Sequence, residues 1–547
     1  MAALTDLPVE TIFHIFRYLS VHALLAIRLT SQRLNAITHN RSVWLDVLAR
    51  IASTPDVPVA GLRGRELSTL DAPEIENLVY NTMQLRRTWT SPSPVPTRIL
   101  ELEPSSHHPQ HGKVTGLQFL PGRGNRWLLH IGFHMDPTQA LIASTLNCWD
   151  LHANPPARCA SIKYEPVRMA WSLLLVNSDP THPAAFAVSM GAFVRSPESE
   201  THQFIAYGMN EANAIVGPIA EPFKMLSQFP CTSHPRVLHG SMLFFEKSSN
   251  VNDTLAVQVC DVISGRAMFM LRVPINPADP ISMDDKVKPF LRIVVYKHYI
   301  VMFRTRRILM YYAPPGTNTG PEVNIDPVDI YQWQWRIDSV ECSLPKTSPL
   351  AVSNMAGGSP PPITLLVRFD SYYPWPVNLL HHFVLRPNHH FNPALPTPSG
   401  SSLPPVVKTY NITTASDCNL PYILLPENIS TIASPMRMFT PSDVILGPYG
   451  TGIWIDAQTD PDPTQAGDHG QRIAARMLVG GDGKSVDESK TRVLRVCESE
   501  NVWSRLAMDE EEGRIAVGRM DGKITLLDYG RIEGLKASNG YDGLGDA

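Results

Sequence analysis

The chain is poor in cysteine and in charge. Its 547 residues include seven cysteines, Cys148, Cys159, Cys231, Cys260, Cys342, Cys418 and Cys497, widely spaced and without a Cys-x-x-Cys pair. That excludes a zinc ribbon or a CxxC redox motif, and it fits unpaired thiols in a reducing compartment. Charged residues make up 18% of the chain, below the usual ~25%. The formal net charge is −4, and the basic residues are not clustered, so the electrostatic footprint of a nucleic-acid binder is missing. There is no apolar run of the roughly 18 residues that a membrane helix needs. The N-terminal apolar stretch is interrupted by Asp6, Glu10, His14 and Arg17 and lacks a basic start, which excludes a signal peptide. The expected setting is therefore cytoplasmic, nuclear or both. The sequons at Asn40, Asn252, Asn411 and Asn428 are then chance matches.

Catalytic motifs are also missing. No Gly-x-Ser-x-Gly elbow occurs. Gly480–Ser485 ends like a phosphate loop, but Leu478 stands where the motif needs its first glycine, so a surface hairpin is expected. Gly447–Gly452 reads as a turn. His107, His108 and His111, the pair His381 and His382, and the pair His389 and His390 lie among prolines and asparagines. They read as solvated loop histidines, since a metal site needs a fixed ligand set with outer support. No metal, cofactor or catalytic residue is expected.

What the chain has in quantity is proline, 49 residues, and apolar residues, 43%. The first fifty residues are helical in pattern. Ile12, Ile15, Phe16 and Leu19 form one apolar face after Leu7-Pro8, and proline suits a helix start. Ser20 can cap a second helix carrying Ala23, Leu24 and Ile27. Thr30 or Ser31 opens a third through Leu34 and Ile37, and Arg41-Ser42 precedes a fourth with Val43, Trp44, Val47, Leu48 and Ile51. Four short helices make too small a core to hide all these side chains, so some are expected to face a partner.

The ordered set Leu7-Pro8, Leu24-Leu25, Ser31-Gln32-Arg33 and Trp44-Leu45 resembles an F-box. The resemblance covers roughly residues 5–50. It implies docking on a Skp-type adaptor and, through it, on a cullin. By the same resemblance Leu7, Pro8, Ile12, Ile15, Leu19, Leu24 and Leu25 would lie at or near the adaptor surface, with Trp44 between the module core and the adaptor.

Pro55, Pro58, Gly61 and Gly64 mark a connector, after which Asp71 caps a helix running to about Trp89, with Pro73 in its first turn. Ile75, Leu78, Val79, Met83, Leu85 and Trp89 give it an apolar side. Ser91–Pro96 ends it, and docking of this helix between two modules would fix their orientation.

From Thr97 to about Tyr529 short apolar runs alternate with Pro, Gly, Asn and Asp, among them Val167–Val176, Tyr299–Phe303, Ile308–Tyr312, Ile363–Phe369 and Ile524–Asp528. Many short strands with frequent turns predict an all-β region. Two stretches read as strand, turn, strand, turn, strand: one from His111 to Cys148-Trp149-Asp150, the other from Val502 to Asp528. They resemble WD-repeat propeller blades, in which Trp-Asp ends the third strand. Asp261–Arg266 resembles the hairpin that follows such a strand. With the Pro-rich stretches 313–328 and 387–404 taken as insertions, the blade length of ~40–45 residues gives seven blades, with eight as the alternative. A pair of β-sandwiches is the competing architecture. Tyr372–Pro376 reads as an aromatic loop, either at a blade edge or against a substrate, and Arg304, Arg306 and Arg307 read as a solvated strand turn.

The fold class is thus α+β multidomain: residues 1–52 an F-box helical module, 53–96 a linker with one long helix, 97–530 a β-propeller-like domain, and 531–547 a disordered tail. The implied function is a non-enzymatic substrate receptor of a Skp–cullin–F-box ubiquitin ligase, whose propeller binds a protein substrate through residues the sequence does not mark. An interaction scaffold without a role in degradation and a hydrolase on the β region are the alternatives.

Overall fold

The computed structural model describes residues 7–52, 58–103, 112–135, 141–164, 169–192, 202–209, 222–231, 233, 235–248, 255–274, 291–313, 323–346, 360–369, 379–395, 407–409, 419–435, 442–457, 470–478, 490–497 and 502–530. Four short helices come first: α1 (Val9–Phe16), α2 (Val21–Arg28), α3 (Gln32–Thr38) and α4 (Arg41–Ala52). Serine caps set two of these boundaries. Ser20 accepts from the Ala23 amide and Ser31 from the Leu34 amide, both at 3.2 Å, each satisfying an amide the helix start leaves open. Pro8 occupies the cap of α1 rather than its first turn.

The fifth helix, α5 (Ala72–Thr90), starts with a reciprocal capping box. The Glu74 amide donates to Asp71 at 2.8 Å, and the Asp71 amide donates to Glu74 at 3.0 Å. Pro73 sits in the first turn, as expected. Ile75, Leu78 and Val79 of α5 share one buried cluster with Ile12, Phe16, Leu24 and Trp44. The core of the first four helices therefore continues onto the linker helix.

The β region is a seven-bladed propeller. Blade 1 is Gly112–Phe119, Trp127–Met135, Leu141–Asp150 and Ala157–Tyr164; blade 2 is Met169–Val176, Phe186–Ala192, His202–Met209 and Phe223–Cys231. Blade 3 begins at Pro235–His239, blade 4 at Arg292–Tyr296, blade 5 at Ile337–Ser343, blade 6 at Val444–Leu446 and blade 7 at Trp503–Asp509. The first strands of successive blades adjoin in order around the ring. Trp149-Asp150 ends the third strand of blade 1, and Asp261–Arg266 turns from the third to the fourth strand of blade 3, both as read from the sequence.

Blade 7 is completed from the other end of the domain. Arg98–Leu102 pairs antiparallel with Ile524–Asp528, and the Thr97 amide donates to the Asp528 carbonyl at 2.7 Å. This closes the ring and removes an open seam.

Packing explains why the strands read as continuous apolar runs. All five residues of Tyr299–Phe303 are buried. Ile300 and Met302 pack toward blade 3, while Tyr299, Val301 and Phe303 pack toward blade 5. Each side of the strand thus faces a neighbouring blade, so strict polar alternation is lost. Seven such clusters fill the seven blade interfaces.

The insertions are not all extra loop. Asn324–Ile325 adds parallel to Ala267–Val273 of blade 3, and Val407–Thr409 adds parallel to Asp329–Gln332 of blade 4. Each comes from an insertion in the following blade, and each covers an edge that would otherwise leave backbone groups unpaired.

Two expectations are corrected. His381 and His382 lie on the strand Leu379–Leu385, not in a loop. This strand is third in blade 5 and is covered on both faces, so His382 is buried, and burial lowers its pKa to about 4. Arg304, Arg306 and Arg307 do form a strand turn, but it is not solvated: Arg304 is fully buried and its Nη2 donates to Glu246 at 2.9 Å, while Arg307 donates to the Pro274 carbonyl at 2.7 Å. The turn is held between neighbouring blades, so its guanidinium groups bind protein acceptors. His389 and His390 are exposed in a turn, as expected. His107, His108, His111, Tyr372–Pro376, Gly480–Ser485 and residues 531–547 lie outside the described residues. Among the described residues no helix is long and apolar enough to cross a membrane.

Candidate docking surfaces

The eight residues singled out in the helical module separate by burial. Ile12, Leu24, Leu25 and Trp44 are buried in its core, Leu7, Ile15 and Leu19 are half-buried, and Pro8 is exposed. Trp44 is enclosed by α5. Its indole N–H donates to the Thr38 carbonyl at 2.9 Å, its ring lies 6.0 Å from that of Tyr80, and the Arg28 guanidinium sits 5.5 Å from its centroid. Arg28 in turn makes a two-point ion pair with Glu76 of α5, at 2.8 and 3.1 Å. Two further apolar residues turn outward more fully: Tyr18 is 76% exposed and Leu29 71%. The helical periodicity concealed them because Tyr18 and Leu29 lie just beyond the ends of α1 and α2.

The far half of α5 belongs to the propeller. Leu85 and Trp89 pack in the cluster between blades 6 and 7, with Ile453, Trp503 and Tyr529. The Trp89 ring meets Tyr529 edge-on at 5.4 Å, and its N–H donates to Thr451 Oγ1 at 2.9 Å. Arg63, in the connector before α5, grips the Glu512 carboxylate through Nε at 3.2 Å and Nη2 at 2.9 Å. Paired, geometrically fixed guanidinium–carboxylate contacts of this kind are among the stronger polar contacts.

Glu512 closes an acidic turn, Asp509–Glu512, between the first two strands of blade 7. Glu510 accepts the amides of Tyr449 at 2.7 Å and Thr451 at 2.8 Å from blade 6. Asp509 accepts from Asn125 of blade 1 at 3.0 Å, and Glu511 pairs with Lys346 beyond the first strand of blade 5. Burial pushes the carboxyls of Asp509 and Glu510 up to about 7, with the neighbouring acidic charges adding to the effect. One turn therefore ties the linker to blades on both sides of the ring seam.

These contacts all lie at one end of the strands, where first-to-second and third-to-fourth strand turns emerge. In an antiparallel blade the second-to-third turns and the blade-to-blade connections emerge at the other end. There the described residues include Arg304–Arg306, Gln334–Arg336 and Met520–Lys523. Trp335 is 50% exposed at this end, held on a connection where Arg306 donates to the Gln334 carbonyl at 2.9 Å. On the inner strands Arg292 pairs with Glu341, and Arg505 lies 3.9 Å from Asp443 while donating to the Thr115 carbonyl at 2.8 Å. Blades 4 to 7 thus carry, in order, Arg292, Glu341, Asp443 and Arg505 on or next to their first strands, two carboxylates between two guanidinium groups.

A serine–histidine contact exists on the linker-side turns. Ser178 Oγ lies 2.7 Å from His239 Nδ1. The adjacent Asp179 directs its Oδ1 to the Thr181 amide at 2.9 Å and the Thr181 hydroxyl at 2.6 Å. Among the described residues no carboxylate hydrogen-bonds to the second nitrogen of His239, so the orienting member of a triad is missing. Nor do the described residues bring together three potential metal-ligating side chains.

Residues 4–50 match the F-box-like family model. No curated protein matches the chain. Among solved structures it is similar to a chain of a humanized mutant of the Chaetomium thermophilum Polycomb Repressive Complex 2 bound to an inhibitor, at 9% identity and a TM-score of 0.41, covering 79% of this chain and 97% of that one. It is also similar to a chain of an active polycomb repressive complex 2 in the basal state, at 8% identity and a TM-score of 0.41, with the same coverage. At these values the likeness bears on neither partner nor activity. An F-box-like module followed by a seven-bladed propeller is a substrate-receptor-like layout.

Proposed function

We propose that this chain is a substrate receptor of a Skp–cullin–F-box ubiquitin ligase. The observation that carries the reading is the shared helix α5, whose first half completes the core of the helical module and whose second half enters the cluster between blades 6 and 7. A receptor of this kind performs no bond-breaking step. It raises the effective concentration of substrate lysines near the activated ubiquitin, and a stiff connection keeps that concentration high by limiting the volume the substrate explores.

In this reading Leu7, Pro8, Ile15 and Leu19 face a Skp-type adaptor, which links the chain to a cullin. Ile12, Leu24, Leu25 and Trp44 support that surface from within. The substrate is a protein held at the propeller end away from α5, where Trp335 offers the exposed aromatic area that interface hot spots favour. The experiment is reconstitution with adaptor, cullin, ubiquitin-activating and ubiquitin-conjugating enzymes. Ubiquitin transfer to the receptor or its bound protein that depends on the adaptor supports the reading. Adaptor binding without any transfer favours an interaction scaffold.

A further inference from the structure

Blade 1 carries two thiols on adjacent strands. Cys148 lies in the third strand and Cys159 in the fourth, and in the antiparallel register Cys148 stands opposite Ala160 while Trp149 stands opposite Arg158. Cys159 is thus the extra residue of a β-bulge. A bulge places two residues against one and re-aims a side chain. Here both cysteines join the same cluster, between blades 1 and 2, Cys148 buried and Cys159 half-buried at its margin. The Cys159 thiol lies 3.3 Å from the Cys148 carbonyl.

We propose that Cys148 and Cys159 form a peroxide-sensitive disulfide site, with Cys159 the attacking thiol and Cys148 the resolving one. The bulge sets Cys159 against Cys148 rather than in register with it. The 3.3 Å contact of its sulfur with the Cys148 carbonyl places it beside that residue across neighbouring strands, which run at about the backbone separation a disulfide spans. The roles follow from access and acidity. A hydrogen bond from Cys148 lowers the pKa of Cys159, whereas burial raises that of Cys148. By contrast, burial pushes Cys231 and Cys342 up to about 12 and Cys260 up to about 11. Thiolate is the reacting form, so Cys159 is favoured over these three.

The chemistry balances with a hydroperoxide as oxidant. The Cys159 thiolate attacks the terminal peroxide oxygen; the O–O bond breaks, and the leaving hydroxide takes a proton to become water. The resulting sulfenic acid is attacked by the Cys148 thiol. The S–O bond breaks, the S–S bond forms, and the thiol proton leaves with the hydroxyl as a second water. Two thiols lose two electrons and two protons, and one hydrogen peroxide becomes two waters.

The bond would close the loop that contains His152. That residue feels the charges of Arg63, Arg514 and Glu512, the groups that bind the linker to the propeller. Oxidation therefore staples the outer strand of blade 1 beside the linker contact, whether or not the receptor reading holds.

The test uses the full chain with hydrogen peroxide, followed by alkylation and peptide mapping without reductant. A Cys148–Cys159 cross-linked peptide that disappears with dithiothreitol is expected. In the reduced protein Cys159 should alkylate at least about tenfold faster than Cys231, Cys260 or Cys342. Cys148→Ala should leave Cys159 as a sulfenic acid that dimedone traps, and Cys159→Ser should abolish both products. Retention of an alkylatable Cys159 after peroxide, or its oxidation in the wild type without a bond to Cys148, overturns the proposal. Circular dichroism of each sample shows whether the fold is intact when the chemistry is read.

Discussion

Leu85 of α5 lies so close to Gly513 of blade 7 that a β-carbon on that glycine would fall 2.2 Å from Leu85 Cδ1. Gly513 also has φ +65°, where a side chain is strained. The linker helix and the propeller are thus fitted at a point where Gly513 has no room for a methyl group.

Gly513→Ala is expected to destabilise the chain by about 1–3 kcal/mol, through backbone strain and overpacking together. Leu85→Ala, which opens a cavity at the same place, is expected to cost about 2–5 kcal/mol. Urea midpoints at constant slope measure both. An unchanged midpoint for Gly513→Ala would show that the helix does not sit against this turn.

The acidic turn gives a pH dependence whose sign is fixed. Asp509 and Glu510 rise from ordinary carboxyl values to about 7 because burial penalises their charge. A carboxyl with a raised folded pKa binds protons more readily in the folded state. Its contribution is fully present below the unfolded value and is lost as pH rises through about 4 to 7. His130, His152 and His382 act in the opposite sense, because burial lowers their folded values to about 3, 4 and 4 and their contribution is lost as pH falls. The comparison must therefore be with Asp509→Asn plus Glu510→Gln. The stability of the wild type relative to this variant should decline between pH 5 and pH 8, as read by urea midpoints. A difference that stays flat or increases contradicts the assignment.

Trp44 supports the module from inside. Trp44→Ala removes a buried indole, its hydrogen bond to Thr38 and its contacts with Tyr80 and Arg28. The expected cost is about 3–5 kcal/mol. Proteolysis of the variant should begin in residues 7–52 while the propeller resists cleavage. Full resistance of the helical module would show that Trp44 is not a core residue.

Much of this architecture was legible because local chemistry and tertiary setting agree. Ser20, Ser31 and Asp71 cap helices as their residue types predict. Tyr299–Phe303, Ile363–Phe369 and Ile524–Asp528 match observed strands end to end, since burial on both faces made them dense apolar runs. The closing partner Arg98–Leu102 left little trace. Only Leu102 of its five residues is buried, and its partner lies at the other end of the domain. His382 was misread because proline and asparagine neighbours suggest a loop, whereas pairing with Leu366 and Ser430 places it in a central strand. Arg304 was misread for a related reason: its partner Glu246 belongs to another blade. At the candidate site, the ordered motif marked the helical module but not which of its apolar residues turn outward. That depends on α5, whose packing covers Trp44 and leaves Tyr18 and Leu29 exposed.

The central claim is that the helical module docks on a Skp-type adaptor through an exposed apolar surface. The most direct measurement is titration of the purified full chain with purified adaptor, comparing wild type with Pro8→Asp plus Ile15→Asp, two residues outside the packed helical core. The account predicts a one-to-one complex with the wild type and at least about a hundredfold weaker binding for the variant, the roughly 2.7 kcal/mol expected when charge enters an apolar interface. Both proteins should show the same urea midpoint. A folded wild type that does not bind the adaptor, or a variant that binds as tightly as the wild type, would contradict it.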